Sequence, residues 1–156
     1  MGRVIEDRAE LAGLVARHRA AGQRVVMANG GFDLLHVGHI RYLRGAAAEG
    51  DVMVVALNSD RSVQANKGPG RPLMPLAERM EILSAVEGVT YVTSFDEPTC
   101  DGLLETLRPD VHAKGTDYTP ENLPERATLK RLGIRLAIVG DAKDHASTAI
   151  LKRVQQ

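Results

Sequence analysis

Apolar and polar positions fall along this chain in blocks whose spacing separates helices from strands. From about Glu6 to Ala21, Leu11, Leu14, Val15 and His18 recur on one helical face, and Gly22 stops the run. A strand is expected over Arg24 to Ala28, followed by a glycine-rich turn. A second amphipathic run opens at Ile40-Arg41-Tyr42-Leu43, continues through alanines to Glu49 and closes at Gly50. Val52-Met53-Val54-Val55-Ala56-Leu57 is apolar on both faces, as the central strand of a parallel sheet requires. Asn58-Ser59-Asp60 is expected to enter a short helix or loop, and Gln64 to Pro75, rich in Gly, Pro, Lys and Arg, to form a loop. Further helices are expected over Leu76 to Val86, Thr99 to Leu107, Asn122 to Leu132 and Ser147 to Val154. Further strands are expected over Val89 to Thr93, Val111 to Lys114 and Arg135 to Val139.

Strands alternating with helices at this rhythm predict an α/β fold of Rossmann-like layout, a five-stranded parallel sheet flanked by helices. With no repeat, linker or low-complexity tract, residues 1–156 read as a single domain, with an N-terminal helix (1–22) packed on it. Ligands of such sheets bind beyond the strand C-termini, where strand order reverses. The segments after the strands ending at Ala28, Lys114 and Val139 therefore converge on one rim.

Composition narrows the classes. Aromatic residues make up 3% and Trp is absent, so the core is aliphatic. Twenty Lys and Arg balance 20 Asp and Glu, and nothing global favours nucleic acid or an anionic membrane. Cys100 is the single cysteine, which excludes an intramolecular disulfide and suits a reducing compartment; it reads as a small residue in a loop or helix start. Neither a signal peptide nor an apolar run of membrane-spanning length is visible, so a cytoplasmic location is expected.

The richest segment is Asn29-Gly30-Gly31-Phe32-Asp33-Leu34-Leu35-His36-Val37-Gly38-His39, which joins a strand to a helix start. A helix N-terminus offers unpaired N–H groups and the positive end of a dipole, which suits phosphate. His36 and His39 add ring donors there, and the paired glycines allow close approach. The segment resembles the signature of the cytidylyltransferase-like nucleotidyltransferases, the superfamily marked by His-x-Gly-His. That resemblance extends over nearly the whole chain after the first helix, with motifs in the family's order.

Other segments join the same picture. Lys67-Gly68-Pro69-Gly70-Arg71-Pro72 is a constrained basic loop, suited to act as a phosphate clamp. The stretch around Arg79 resembles the family's, which implies a phosphate-binding role for that arginine. Lys114-Gly115-Thr116-Asp117-Tyr118 resembles the family's Lys-Gly-x-Asp-Tyr segment, implying nucleotide contacts from Lys114, Gly115 and Asp117. Ser147 and Thr148 stand where the family carries Ser-Thr-Thr, but Ala149 replaces one hydroxyl residue and His145 precedes them.

The resemblance implies attack of a substrate phosphate on the α-phosphorus of a nucleoside triphosphate, releasing pyrophosphate. His36, His39, Lys67 and Lys114 would be catalytic. Asn29, Gly30, Gly31, Phe32, Asp33, the two histidines, Lys114, Gly115, Asp117, Ser147 and Thr148 would bind nucleotide, and Lys67, Arg71 and Arg79 the substrate phosphate. Mg²⁺ would ride on the triphosphate with no protein ligand. Asn58-Ser59-Asp60, the basic loop and the Lys114 segment look most like the adenylyltransferases that make ADP-heptose. They imply ATP as co-substrate, D-glycero-D-manno-heptose 1-phosphate as acceptor, and the stand-alone form of an activity also found fused to a kinase. Glycerol-3-phosphate cytidylyltransferases, using CTP, are the alternative within the same chemistry; a nucleotide-binding module without turnover is the alternative outside it. Relatives often dimerise, so a homodimer is a further expectation. A redox dinucleotide domain is set aside, because Gly-x-Gly-x-x-Gly does not follow the first long strand.

Overall fold

The structure is a computed structural model that describes residues 1–141 and 147–155, with the side chains of 147–150 outside the description. In chain order its elements are β1 (Arg3–Val4), α1 (Arg8–Ala20), β2 (Val25–Gly30), α2 (Val37–Ala47), β3 (Val52–Asn58), α3 (Asp60–Lys67), α4 (Leu76–Ser84), β4 (Tyr91–Phe95), α5 (Asp101–Leu107), β5 (Val111–Lys114), α6 (Arg126–Leu132), β6 (Arg135–Ile138) and α7 (Ser147–Gln155). The strands form one parallel sheet in the order β1-β4-β3-β2-β5-β6. The chain winds outward from β2 through β3 to β4, then crosses back to place β5 on the other side of β2. Strand order therefore reverses between β2 and β5, and the rim above those two ends is the place for a ligand.

The sheet has six strands rather than the expected five. The additional strand, β1, is two exposed residues at the edge, fixed by Arg3 N–H donating to Thr90 O and Ile5 N–H to Val92 O. It carries no apolar run, which is why the hydrophobic pattern did not reveal it. The segment expected as a loop from Gln64 is helical through Lys67: Ser59 caps α3 by accepting from Ser62 N–H, and Val63 anchors it. β4 lies two residues later than the pattern suggested: it runs on through the polar pair Thr93-Ser94 to the buried Phe95.

Each face of the sheet carries its own core. One face packs Val25, Met27, Val54, Ala56, Tyr91 and Phe95 against Leu11 and Val15 of α1, Leu103, Leu104 and Leu107 of α5, and Leu129 of α6. The opposite face packs Val26, Ala28, Val55 and Ala113 against Leu43 and Ala46 of α2 and Met80 and Leu83 of α4. Alternation along each strand puts Asn29 and Lys114 on the α1/α5/α6 face, at the two strand ends that flank the reversal.

Candidate active site

The turn after β2 is shaped by packing around Phe32, whose φ of 50° is left-handed, a conformation uncommon outside glycine. Its buried ring meets His39 edge-on, with centroids 5.2 Å apart, and lies stacked at 6.4 Å from Tyr42. Gly30 is needed for this arrangement, since a Cβ there would stand 3.1 Å from the Phe32 ring. The expected close approach to a ligand is thus taken up, at Gly30, by the protein's own aromatic ring. At Gly31 a Cβ would meet only Val63 Cγ2 at 3.6 Å, an ordinary contact.

His36 and His39 serve the helix as well as the site. His36 is the N-cap of α2: its Nδ1 accepts from Gly38 N–H at 3.1 Å, while His39 Nδ1 accepts from His36 N–H at 3.3 Å. The two rings stack with centroids 3.8 Å apart. Because each Nδ1 is an acceptor, each neutral ring carries its proton on Nε2. Helix capping therefore selects the tautomer that makes both side chains N–H donors on their outer edge, beside the amino end of α2.

Across the reversal, Asn29 Oδ1 accepts from Lys114 Nζ and from His112 Nε2, each at 3.2 Å. The Lys114 ammonium also sits 4.3 Å from the centroid of the Tyr118 ring. Asn29, expected to touch nucleotide, thus positions Lys114. His112 is fully buried and its Nδ1 meets no donor among the described residues. Burial, reinforced by the Lys114 charge, pushes its pKa down to about 3, so the ring is neutral. Tyr42 ties the same strand ends together, donating to Ala113 O at 2.6 Å and accepting from Asn29 N–H.

Two expected contact residues also carry structural duties: Asp33 lines the cavity while holding the basic loop, and Arg79 lies behind the lining. Asp33, nearly fully buried, accepts from Leu73 N–H, Met74 N–H and Arg71 Nε, which fastens the basic loop to the β2–α2 turn. Burial alone would raise this carboxyl, but the Met74 and Leu73 amides and Arg71 together hold it below the usual range. Arg79 has no exposed surface and does not line the cavity. Its Nε donates to Met74 O, Nη1 to Gly31 O and Asn58 O, and Nη2 to Asp60. Every nitrogen of that guanidinium is committed to holding three loops at the rim.

These elements surround one cavity of about 360 Å³, within the range of small-molecule sites. The half beside α2 is walled by Phe32, His36, His39, Tyr42 and the segment Val139-Gly140-Asp141. That segment is held by Thr116 Oγ1 donating to Asp141 O and by an Arg41–Asp141 ion pair. The half beyond the other face is walled by Phe95, Pro98, Thr99, Cys100, Tyr118, Pro124 and Glu125, none of which the sequence had marked for substrate contact. Lys67, Arg71, Lys114, Gly115 and Asp117 also line it, so the cationic candidates other than Arg79 do converge. The backbone of Ser147 begins α7, but its side chain, that of Thr148, and the whole of His145 lie outside the described residues. Among the described residues no three His, Cys, Asp or Glu side chains form a metal cluster, and no helix is long and apolar enough to cross a membrane.

A parallel α/β sheet with a His-x-Gly-His helix start at its topological switch defines a protein built to act on nucleotide phosphates. Comparison with known proteins makes the class specific. The cytidylyltransferase-like family matches residues 27–153, and the chain belongs to that family; it is a nucleotidyltransferase. It is 44% identical over 92% of its length to the bifunctional protein HldE of Geobacter metallireducens, and 39% identical over 99% to that of Alcanivorax borkumensis. It is 44% identical over 97% to that of Streptomyces coelicolor. The chain spans only 29% to 33% of these relatives. A lipopolysaccharide core biosynthesis protein from Thermoplasma volcanium shares the fold, with a TM-score of 0.67 and 24% identity over 78% of this chain and all of that one.

Proposed function

We propose that the protein transfers AMP from ATP to a sugar 1-phosphate, D-glycero-D-manno-heptose 1-phosphate in particular, giving ADP-heptose and pyrophosphate. The observation that carries the reading is the capping geometry of His36 and His39, which makes both rings Nε2–H donors beside a helix N-terminus and near Lys114. The choice of acceptor rests on the motif resemblance and on the 39% to 44% identity with the proteins named HldE.

In this mechanism the triphosphate lies against the amino end of α2. An oxygen of the acceptor phosphate attacks the α-phosphorus; as that bond forms, the bond to the bridging oxygen breaks and pyrophosphate leaves. His36 and His39 donate to phosphate oxygens as charge moves onto the leaving group, and Lys114, held by Asn29 and Tyr118, stabilises charge at the α-phosphate. Lys67, at the end of α3, and Arg71, on the loop fastened by Asp33, draw the two substrates together. Mg²⁺ bound to the triphosphate supplies additional charge neutralisation. The cavity fits a metal carried in by its substrate, since Asp33 and Asp141 are both engaged by protein donors.

The test is pyrophosphate release from the purified protein with Mg²⁺, ATP or CTP, and heptose 1-phosphate or glycerol 3-phosphate. Turnover confined to ATP and the heptose phosphate is expected; turnover with CTP and glycerol 3-phosphate would overturn the substrates, and nucleotide binding with no turnover would overturn catalysis. His39→Ala should lower kcat by about 100-fold or more, since it removes one positioned donor from the transition state.

A further inference from the structure

We propose that Glu125 recognises the hydroxyl-bearing carbon chain of the acceptor, as the hydrogen-bond acceptor at the floor of the cavity half beyond Lys114. This inference rests on the nucleotidyltransferase reading of the cavity.

Glu125 stands at the N-cap position of α6, yet its side chain does not cap that helix. The carboxylate turns toward the loop before α5, where Oε1 accepts from Cys100 N–H at a long 3.4 Å. Oε2 is buried and meets no donor among the described residues, while the residue is only 3% exposed and lines the cavity. A buried carboxylate left half-satisfied is costly to a fold and calls for a donor from elsewhere. Three of the donors around the cavity are committed to other acceptors. Thr99 and Thr128 both donate to Asp101, and Lys114 donates to Asn29 and rests on the Tyr118 ring.

The chemistry of the missing donor follows from the charges. A second phosphate would be repelled by Glu125, whereas a sugar hydroxyl supplies the O–H that Oε2 lacks. The acceptor phosphate belongs at the cationic rim by Lys114, Lys67 and Arg71. Its carbon chain then runs between Phe95 and Tyr118 and places a hydroxyl on Glu125. The site thus favours monophosphates of polyols or sugars over acceptors with a second anionic group at the far end.

The experiment compares wild type, Glu125→Gln and Glu125→Asp by steady-state kinetics, by calorimetric titration of heptose 1-phosphate and by thermal unfolding. Gln keeps the shape but can present N–H₂ where Oε2 stood. The acceptor KM and Kd should rise about tenfold to hundredfold. The ATP KM and saturating kcat should stay within about twofold of wild type. Asp, whose carboxylate is withdrawn by one methylene, should also weaken acceptor binding and spare ATP. An unchanged acceptor Kd in both variants overturns the assignment, as does an ATP KM that rises equally. Absence of product from wild type would refute the transferase reading separately, because calorimetry still reads the acceptor; wild type that binds no sugar phosphate refutes Glu125 as well.

Discussion

Arg79→Met removes a guanidinium that has no exposed surface and leaves the carbonyls of Met74, Gly31 and Asn58 without their donor. Methionine replaces the alkyl stem, so the loss is polar rather than a cavity. Removing one partner of a buried charged network costs about 3–5 kcal/mol. Only the Asp60 partner, half-exposed, recovers hydration on its own. Taking about 4 kcal/mol, and about 2–4 °C per kcal/mol for a chain of this size, Tm should fall by about 8–16 °C. Arg79→Lys keeps the charge but cannot reach all four acceptors from one ammonium, and should lose roughly half as much. The assay is thermal unfolding by circular dichroism, with KM for ATP and for the acceptor measured well below both transitions. A scaffold role predicts a large Tm loss, with kinetic losses that follow loop disorder and affect both substrates. A variant that unfolds within about 2 °C of wild type while acceptor KM rises sharply would refute the reasoning and return Arg79 to the phosphate site.

Three further outcomes follow from the buried groups. His112 is neutral in the fold, with its pKa down at about 3 against 6.5 for the free side chain, so its contribution is full above pH 6.5 and is lost as pH falls toward 3. Urea unfolding should show about 2 kcal/mol less stability at pH 5 than above pH 6.5 from this group alone, and His112→Gln should remove that difference. A pH dependence unchanged in the variant would assign it elsewhere. Asp33→Asn keeps one acceptor oxygen for amides that now share two and breaks the buried pair with Arg71, which should cost about 3 kcal/mol. Because the Asp33 pKa is lowered in the fold, its stabilisation is present above the unfolded carboxylate range and lost as pH falls through the folded value; the variant should flatten that acid limb. Tyr42→Phe strips the hydroxyl that joins the ends of β2 and β5, and should lower stability by about 1–3 kcal/mol; no change in the urea midpoint would contradict the tie.

Much of the fold was readable because most long elements bury one face or two. β3 is apolar from Val52 to Leu57, and Leu11 and Val15 of α1 pack where the period placed them. β1 escaped because its order comes from backbone pairing, and the second half of α3, beyond Gln64, because that helix rests on a serine cap and on Val63, its one large apolar residue. At the site, sequence could point to His36, His39 and Lys114 because a motif names them in order. It could not tell contact from support. Asp33, Arg79 and Asn29 are polar residues inside motif segments, and only coordinates show that their hydrogen bonds are directed at loops and at Lys114 rather than into the cavity.

That division has a physical origin. A parallel sheet delivers its loops to one rim but does not fix them there, and phosphate chemistry needs donors held in place before the substrate arrives. Here three junctions at the rim are secured by a buried or half-buried polar residue with several partners: Asp33 for residues 71–74, Arg79 for the ends of β2 and β3, Tyr42 for β2 and β5. The same logic selects the histidine tautomer, since a neutral ring that caps α2 through Nδ1 carries its proton on Nε2. Buried polar residues around the rim are therefore of two kinds, and the half-satisfied ones are the informative members. Where a buried polar atom already has its partners, as at Arg79, it holds the fold; where it lacks one among the described residues on the wall of the cavity, as at Glu125 Oε2, it is the atom a substrate hydroxyl would satisfy under the proposal above.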